Sequence, residues 1–358
     1  MFLYFSIFLL TFFLLVFMGK KNNLPISITF FMLFLLYGCR DYGGVDDTTY
    51  IEAFEGANNG TIVYGMEKSF LIISRVLGGF GLNYKSVFLL YALVSFIFTY
   101  LSYKRLCKNR YEWLIALLGF LVFALVPTIT VMRQFAAAAI LAYAFTLRFE
   151  KRNKSSLALI GLATLIHVGS SIGFFVFLLI PKRFSVTTKI IIPLIGLVIG
   201  YSGILAGILK FVQYIVPDKY TGYLSNSNTT SPDVGILHLI LITVYILQFI
   251  LPAVFKMENV SNRSIEFLQV MQMIYFLMYF STLASGWASR VSLYFVLFVP
   301  FIFKTFISIF KLETDRKLIY WTCYGAYTLL FIYQIMSISD SSNMSGLIPY
   351  EGSFNFWK

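Results

Sequence analysis

Three arginines of this chain occupy positions where a charged side chain is costly unless it has a task. Arg133 lies within residues 127–134, where one apolar stretch ends and the next helix is expected to begin. The positive end of a helix dipole adds to the arginine charge, so this position favours an anion. Arg40 directly follows another apolar stretch, and Arg290 ends a short turn at residues 285–290. Together they predict a site for a polyanionic headgroup such as a lipid pyrophosphate.

His167 and Asp46 are the candidates for moving a proton. An imidazole titrates near neutral pH and can act as a general base, although His167 also fits a hydrogen-bonded packing residue. Arg40 has a structural alternative, an ion pair with Asp46 or Asp47, and the sequence leaves open which carboxylate is the functional one. A second histidine, His238, follows a Tyr-rich segment and shows no partner in the pattern.

Several familiar catalytic signatures are missing from the sequence. It contains no Walker A loop, no HExxH pair and no GxSxG elbow, which argues against ATP drive, zinc peptidase and serine hydrolase chemistry. Adjacent Asp46 and Asp47 need not converge on one ion. The three cysteines are scattered and are expected to be unpaired. We therefore expect no metal and no cofactor.

The composition indicates that most of the chain is surrounded by lipid. Hydrophobic residues make up 59% of the chain and charged residues 12%, whereas soluble domains carry roughly 25% charged residues. The net charge of +12 does not indicate nucleic-acid binding, because the basic residues lie in short segments between apolar stretches. The sequence predicts an all-α polytopic membrane protein.

The apolar stretches give the number of predicted spans. A membrane-spanning helix needs about 20 apolar residues. We predict twelve spans, some of them short or re-entrant, at residues 2–18, 24–39, 86–103, 112–127, 131–147, 155–167, 168–181, 187–206, 236–254, 265–284, 291–308 and 318–337. The first stretch lacks a basic leader and a small-residue cleavage site, so a retained helix is expected.

The lysines and arginines predict the orientation. One alternating set of inter-span segments holds 19 of the 28 basic residues, and the positive-inside rule makes that set cytoplasmic. Both termini and two long segments, 40–85 and 207–235, are then extracytoplasmic. We expect one integral membrane domain over residues 1–358, in a bacterial inner membrane.

A spacing anomaly points to His167. Only 27 residues separate Lys154 from Lys182, whereas two full spans need about 40. The two helices must be short, and their junction at His167 should lie below the outer surface. Non-helical backbone survives at that depth only where it lines a watery cavity or is covered by protein. We therefore predict His167 at the floor of an outward-facing cavity.

These residues, taken in chain order, resemble the EpsG family of Wzy-type polysaccharide polymerases. The motifs that carry the resemblance are Arg40-x-x-x-Gly44-x-Asp46-x-x-x-Tyr50, a Gly/Glu segment at Gly65 and Glu67, Arg133-Gln134-x-Ala136, Ala163-x-x-x-His167-x-x-Ser170, Arg290 with Tyr294, and Pro349-Tyr350. The more specific of them lie between residues 40 and 170. The C-terminal half matches mainly in topology.

The resemblance implies a GT-C-like, multi-span, metal-independent glycosyltransferase. Such enzymes join undecaprenyl-pyrophosphate-linked oligosaccharide repeats into O-antigen or exopolysaccharide on the periplasmic face, and a partner protein regulates chain length. In this interpretation His167 and Asp46 are catalytic, and Arg133, Arg290 and Arg40 bind pyrophosphate. The expected substrate contacts are Tyr50, Gln134 and Tyr294, with the Tyr-rich segment 207–235 covering sugars.

Three other membrane functions fit parts of the pattern. A lipid-linked oligosaccharide flippase binds the same pyrophosphate, but it is expected to show internal repeats and charges deep in its bundle. An O-antigen ligase has a similar outer Arg/His site and differs in its acceptor. A membrane acyltransferase needs a donor entrance on the cytoplasmic side, whereas the candidate histidine here is expected to face outward. The flippase and the ligase remain the alternatives to a polymerase.

Overall fold

The computed structural model describes most of the chain and divides it into two compact units. The described residues are 2–17, 24–42, 46–61, 65–202, 204, 234–255, 262–283, 288–310, 313–340 and 351–357. The first unit comprises residues 1–178 with 320–358, and the second comprises 179–319. The expectation of one domain over 1–358 stays a prediction.

The first unit is built from ten helices and the end of an eleventh, as far as the described residues show. In chain order they are α1 (Phe2–Phe17), α2 (Leu24–Gly38), α3 (Asp47–Asn59), α4 (Lys68–Gly79), α5 (Lys85–Leu106), α6 (Arg110–Phe123), α7 (Leu125–Thr130), α8 (Met132–Phe149), α9 (Asn153–Ile166) and, after a 3₁₀ turn (Val168–Ser171), α10 (Ile172–Leu179).

The second unit begins with α11 (Val186–Ser202), followed by α12 (Ile236–Val254) and α13 (Arg263–Ser281). A 3₁₀ helix (Ala288–Phe301) then leads into α14 (Ile302–Ile307). The last helix, α15 (Glu313–Asp340), starts in this unit and belongs to the first unit from Tyr320 onwards. Most of the Tyr-rich segment 207–235 lies outside the described residues, so its predicted cover over sugars stays a prediction.

The helical fold predicted from the sequence is confirmed. Each of the twelve predicted spans overlaps a described helix, but 112–127 also enters α7, and 168–181 and 291–308 each combine a 3₁₀ helix with a short α-helix. Three described helices, Lys85–Leu106, Ile236–Val254 and Arg290–Ile307, are individually long and apolar enough to cross a membrane. Shorter apolar helices account for several of the other segments. The chain is a membrane protein, and the number of twelve crossings stays a prediction.

Helix α8 forms the centre of the first unit. It packs against α5 on one side and α9 on the other, and its residues Ala136, Ala137, Ala138 and Ala139 are fully buried. Side chains this small let neighbouring helix backbones approach closely. Helix α8, which carries Arg133 in its first turn, is therefore closely packed by its neighbours.

The segment 40–85 contains more regular structure than the sequence indicated. Helices α3 and α4 pack against each other within it. The amide of Asn58 donates to the carbonyls of Phe54 and Ser74, at 2.8 and 3.1 Å, which joins the two helices. Helix α3 was not predicted, because its mean composition is nearly balanced between polar and apolar residues.

Residues 351–357 form a short C-terminal strap that contacts both ends of this segment. Strand β1 (Arg40–Tyr42) pairs antiparallel with strand β2 (Glu351–Gly352). The amide of Asn83 donates to the carbonyls of Asn355 and Trp357, at 3.0 and 3.1 Å. Lys85 forms an ion pair with Asp41 and a hydrogen bond with Ser353. The strap thus ties the end of α2 to the beginning of α5.

The second unit has its closest helix packing between α11 and α13. A Cβ atom added at Gly200 would lie 2.1 Å from the carbonyl oxygen of Phe280, so only glycine fits there without movement of the backbone. Gly196 meets the backbone of Leu277 in the same way, at 2.9 Å. The two glycines set the distance between these helices.

Candidate functional site

Arg133 lies in the first turn of α8, immediately after a break in the helical backbone. Helix α7 ends at Thr130, and Val131 has φ −131° and ψ 58° before α8 begins. The Nη1 atom of Arg133 donates to Oε2 of Glu67, with which it forms an ion pair. The exposed fractions of the two side chains are 13% and 19%. The predicted anion-binding arginine therefore has a carboxylate as its partner.

Two aromatic rings hold the guanidinium of Arg133 in place. Its central carbon lies 5.2 Å from the ring centroid of Tyr50 and 5.5 Å from that of Phe70. Both rings belong to a buried cluster that also contains Tyr91, Met132 and Ala136. Cation–π contacts of this kind stabilise the charge and fix its plane. The structure thus brings together Arg133 and Tyr50, two of the site residues predicted from the sequence.

Tyr50 is a neutral neighbour of this cation. Burial raises the pKa of the Tyr50 phenol above its usual value, and the opposing influence of Arg133 is the smaller one. The phenol therefore stays protonated across the physiological pH range. It can donate or accept a hydrogen bond with a substrate, as predicted for a substrate contact, but it does not supply a negative charge.

Buried polar atoms around Arg133 are left without partners. Nε of Arg133 and the hydroxyl of Tyr91, which belongs to the same cluster, meet no hydrogen-bond partner among the described residues. Buried polar atoms in natural proteins are nearly always satisfied, so atoms of this kind mark places that take up water or a polar ligand. The surroundings of Arg133 have unused hydrogen-bonding capacity.

His167 lies at the break between two short helices, as predicted. Helix α9 has 14 residues and α10 has 8, and the backbone of His167 is extended at φ −150° and ψ 114°. Its imidazole is half-buried. Its position at the floor of an outward-facing cavity stays a prediction.

The end of α9 is connected to the Arg133 surroundings. Ser69 of α4 donates its hydroxyl to the carbonyl of Leu165 at 2.5 Å. Ile166 packs against the cluster that contains Tyr50 and Phe70. His167 therefore follows directly on a residue that touches the walls of the Arg133 site.

Arg40 has a different environment from the one that a free anion-binding residue needs. It is 2% exposed. Its Nε and Nη2 donate to the two carboxylate oxygens of Asp47 at 3.1 and 2.9 Å. Nη1 donates to the carbonyl of Tyr37 at 2.7 Å, and Nη2 to that of Ile129 at 3.2 Å. The structural alternative raised from the sequence is the observed one, with Asp47 as the partner.

The remaining predicted residues of the first unit are Asp46 and Gln134. Asp46 precedes α3 at its N-cap position and is half-buried, but its side chain makes no capping hydrogen bond. Gln134 is buried beside Arg133 in the first turn of α8. Their assignment to proton transfer and to substrate contact, respectively, stays a prediction, as does pyrophosphate binding by Arg40.

Arg290 and Tyr294 belong to the second unit. Arg290 is exposed and Tyr294 is 2% exposed, both on the 3₁₀ helix that begins at Ala288. Arg133 and Arg40 lie in the first unit, so a joint site for the three arginines stays a prediction. Metal ligands do not cluster within the described part of the chain, where no three His, Cys, Asp or Glu side chains come together.

Two partnerships were missed in the sequence. Glu67 lies 66 positions before Arg133, and no local pattern connects them. His238, which showed no partner in the sequence, has its Nε2 3.0 Å from the hydroxyl of Tyr275 and stacks on Tyr279 at 3.7 Å between ring centroids. Both pairings depend on how distant helices pack, and local spacing carries no signal of that.

Comparison with known proteins adds one finding. A family model described as the EpsG family matches residues 23–351, which is nearly the whole chain. Searches of curated proteins and of solved structures found no match. The family match extends well beyond the motifs between residues 40 and 170 and includes the second unit.

Proposed function

The chain belongs to the EpsG family, a family of Wzy-type polymerases, and we propose that it joins undecaprenyl-pyrophosphate-linked oligosaccharide repeats into a polysaccharide. Family membership supports a polymerase role in polysaccharide biosynthesis at a membrane. The proposal adds the lipid pyrophosphate substrate and a reaction on the periplasmic face of the bacterial inner membrane. It also includes a partner protein that regulates chain length.

The observation that carries the proposal is the incomplete coordination of Arg133. Its guanidinium lies over two aromatic rings, is partly exposed and donates through Nη1 to Glu67. Buried Nε has no partner among the described residues. An arginine arranged in this way has donors left for the oxygens of a phosphate group.

The chemistry requires a cation at the leaving group. When the glycosidic bond to the lipid pyrophosphate breaks, its electron pair moves to the phosphate oxygen, where negative charge develops. A donor already oriented towards that oxygen stabilises the transition state without reorganisation. We assign this task to Arg133. Arg290 and Arg40 remain further predicted ligands, and Arg40 would have to give up Asp47 to serve as one.

The acceptor hydroxyl needs a base. Its oxygen attacks the anomeric carbon, and its proton passes to a neighbouring group, for which His167 and Asp46 are the candidates. His167 adjoins the Arg133 walls through Ile166, which favours it. A direct displacement of this kind inverts the anomeric configuration. Tyr50, Gln134 and Tyr294 are proposed to contact the substrate.

A reconstituted polymerisation assay tests the proposed function. Purified protein in nanodiscs receives undecaprenyl-pyrophosphate-linked repeat units together with EDTA and without nucleotide, and the glycans are separated on a gel. We expect a ladder of polymers. The same gel ranks His167→Gln against Asp46→Asn, and the variant with the greater loss marks the base.

Each alternative gives a different product in that experiment. Intact repeat units that cross the bilayer of sealed vesicles, with no ladder from correctly folded protein, would indicate a flippase. Transfer of glycan to added lipid A core, again with no ladder, would indicate a ligase. Either result overturns the polymerase proposal.

A further inference from the structure

Glu67 is the carboxylate that pairs with Arg133. It is the N-cap residue of α4, with φ −66° and ψ 142°, but its side chain makes no capping hydrogen bond. An N-cap carboxylate usually accepts from the backbone N–H groups of its own helix. Here the carboxylate pairs with Arg133 instead. The local backbone does not require this carboxylate, whereas the arginine uses it.

The pair is placed so that it can separate. Glu67 and Arg133 are 19% and 13% exposed, so both charges remain close to solvent. Partly exposed ion pairs contribute little net stability, since solvent competes with the partners. Fully buried pairs resist separation, because breaking them leaves an uncompensated charge. A ligand that interacts with Arg133 more strongly than a single carboxylate does can therefore displace Glu67 at a small cost in free energy.

We propose that Glu67 occupies the anion position of Arg133 in the empty enzyme and leaves it when a pyrophosphate binds. The inference rests on the proposed function and deepens it, because it assigns Glu67 as a specificity-determining residue of the same site. A pyrophosphate carries more negative charge than a carboxylate. It also presents oxygens for the unused Nε as well as for Nη1.

The exchange discriminates against the lipids that surround the protein. A phosphodiester headgroup, as in phosphatidylglycerol, carries the same charge as the Glu67 carboxylate. Displacing Glu67 therefore brings such a lipid no electrostatic advantage, and the freed carboxylate repels it. Specificity of this kind arises from a built-in competitor as much as from attraction to the correct ligand. Glu67 keeps abundant anionic phospholipids off Arg133.

The test measures KM for lipid-linked repeats in nanodiscs of phosphatidylcholine, without and with phosphatidylglycerol. In phosphatidylcholine alone, we expect Glu67→Gln to lower KM by about twofold to fivefold, the worth of one partly exposed ion pair. Added phosphatidylglycerol should raise KM of the variant by a similar factor and leave that of the wild type nearly unchanged. Glu67→Asp, which keeps the charge, should retain the resistance to phosphatidylglycerol.

Glu150→Gln is the matched control. Glu150 also pairs with one arginine, Arg105, whose guanidinium lies 5.2 Å from the ring centroid of Tyr143. This pair is at the other end of α8, and its loss should change neither KM nor the response to phosphatidylglycerol. An effect as large as that of Glu67→Gln would show that any lost ion pair acts in this way, and would overturn the inference.

Two further results for Glu67→Gln would contradict the inference. An unchanged KM and unchanged lipid response in Glu67→Gln would remove the competitor role. A fall in kcat of about a hundredfold at constant KM would make Glu67 a proton-transfer group instead.

Native mass spectrometry with undecaprenyl pyrophosphate measures binding without turnover. Tighter binding by Glu67→Gln supports the inference even if the wild type makes no ladder.

Discussion

Arg40 and Arg133 lie in the same unit, and each pairs with one carboxylate beside an aromatic ring, yet they differ in how many of their nitrogens are used. Arg40 donates through all three nitrogens, and the side chains of Arg40 and Asp47 are 3% and 0% exposed. Arg133 donates through Nη1 to Glu67 and also contacts the Tyr50 phenol, but its Nε has no partner among the described residues, and its pair with Glu67 retains partial exposure. The difference separates an arginine that holds the fold from one with capacity for a ligand.

The partners of Arg40 explain its structural role. Two of its hydrogen bonds go to the carbonyls of Tyr37 and Ile129, which lie in the last turns of α2 and α7. Carbonyls at helix C-termini have no partner within their own helix, and a cation there is favoured by the helix dipole. Arg40 thus satisfies two helix ends while Asp47 balances its charge. Its ring contact with Phe88, at 4.4 Å, completes the enclosure.

The largest effect is expected for Arg40→Gln, and it is an effect on stability. Removing one partner of a buried ion pair leaves Asp47 uncompensated, which costs about 3–5 kcal/mol. We expect a lower thermal unfolding temperature and less protein in the membrane. The protein that does fold should retain most of its activity per molecule.

Asp47→Asn should reproduce that loss, and Asp46→Asn is the control for it. Asp46 is the adjacent carboxylate and is not the ion-pair partner of Arg40, so its replacement should leave the unfolding temperature close to that of the wild type. Normal stability together with lost polymerisation in Arg40→Gln would contradict the comparison. It would support Arg40 as a pyrophosphate ligand, as the sequence suggested.

Arg133→Gln should give the reverse pattern, a loss of activity at nearly normal stability. Removing one donor from a developing oxyanion costs about 10²–10³-fold in rate. Arg148→Gln is the control, because Arg148 is on the same helix and stacks on Phe177 at 4.1 Å at the opposite end. Polymerisation in nanodiscs and thermal unfolding are measured on both. Equal loss of activity in the two variants would remove the special role of Arg133.

The sequence predicted where helices begin and end near Arg133 and His167 better than it predicted the side-chain partners of the arginines. The spacing of Lys154 and Lys182 correctly indicated two short helices, and α9 and α10 meet near His167. The end of one apolar stretch before Arg133 predicted that a helix begins close to this residue, and Arg133 lies in the first turn of α8. These inferences hold because helix length and helix ends depend on local sequence.

The partners could not be predicted, because they depend on where helices begin and how they pack. Asp46 and Asp47 are adjacent in sequence, and only the start of α3 decides which of them faces Arg40. Glu67 reaches Arg133 because α4 packs beside α5 and α9, a relation that no local period encodes. Counting the used nitrogens of each arginine therefore requires the three-dimensional contacts.

The smallest effects compare two asparagines with similar bonding and different neighbours. Asn83 donates to two carbonyls of the C-terminal strap, and its Oδ1 accepts from the backbone N–H of Lys85. Asn58 donates to the carbonyl of Phe54 in its own helix and to that of Ser74 in α4. Asn83→Ala removes three hydrogen bonds and Asn58→Ala removes two, which should cost about 2–3 and about 1–2 kcal/mol, measured by thermal unfolding in detergent.

The two asparagine variants should differ in KM in the opposite order to their losses of stability. Helices α3 and α4 carry Tyr50 and Glu67, so Asn58→Ala lets the walls of the Arg133 site shift and should raise KM for the lipid-linked repeat by about threefold to tenfold, a change of roughly 1 kcal/mol in binding. Asn83→Ala loosens the strap beside β1, which contains Arg40, and the start of α5, and should leave KM unchanged. If Asn83→Ala raised KM as much as Asn58→Ala does, the strap and the Arg40 side would take part in substrate binding. The division between a structural and a binding arginine would then fail.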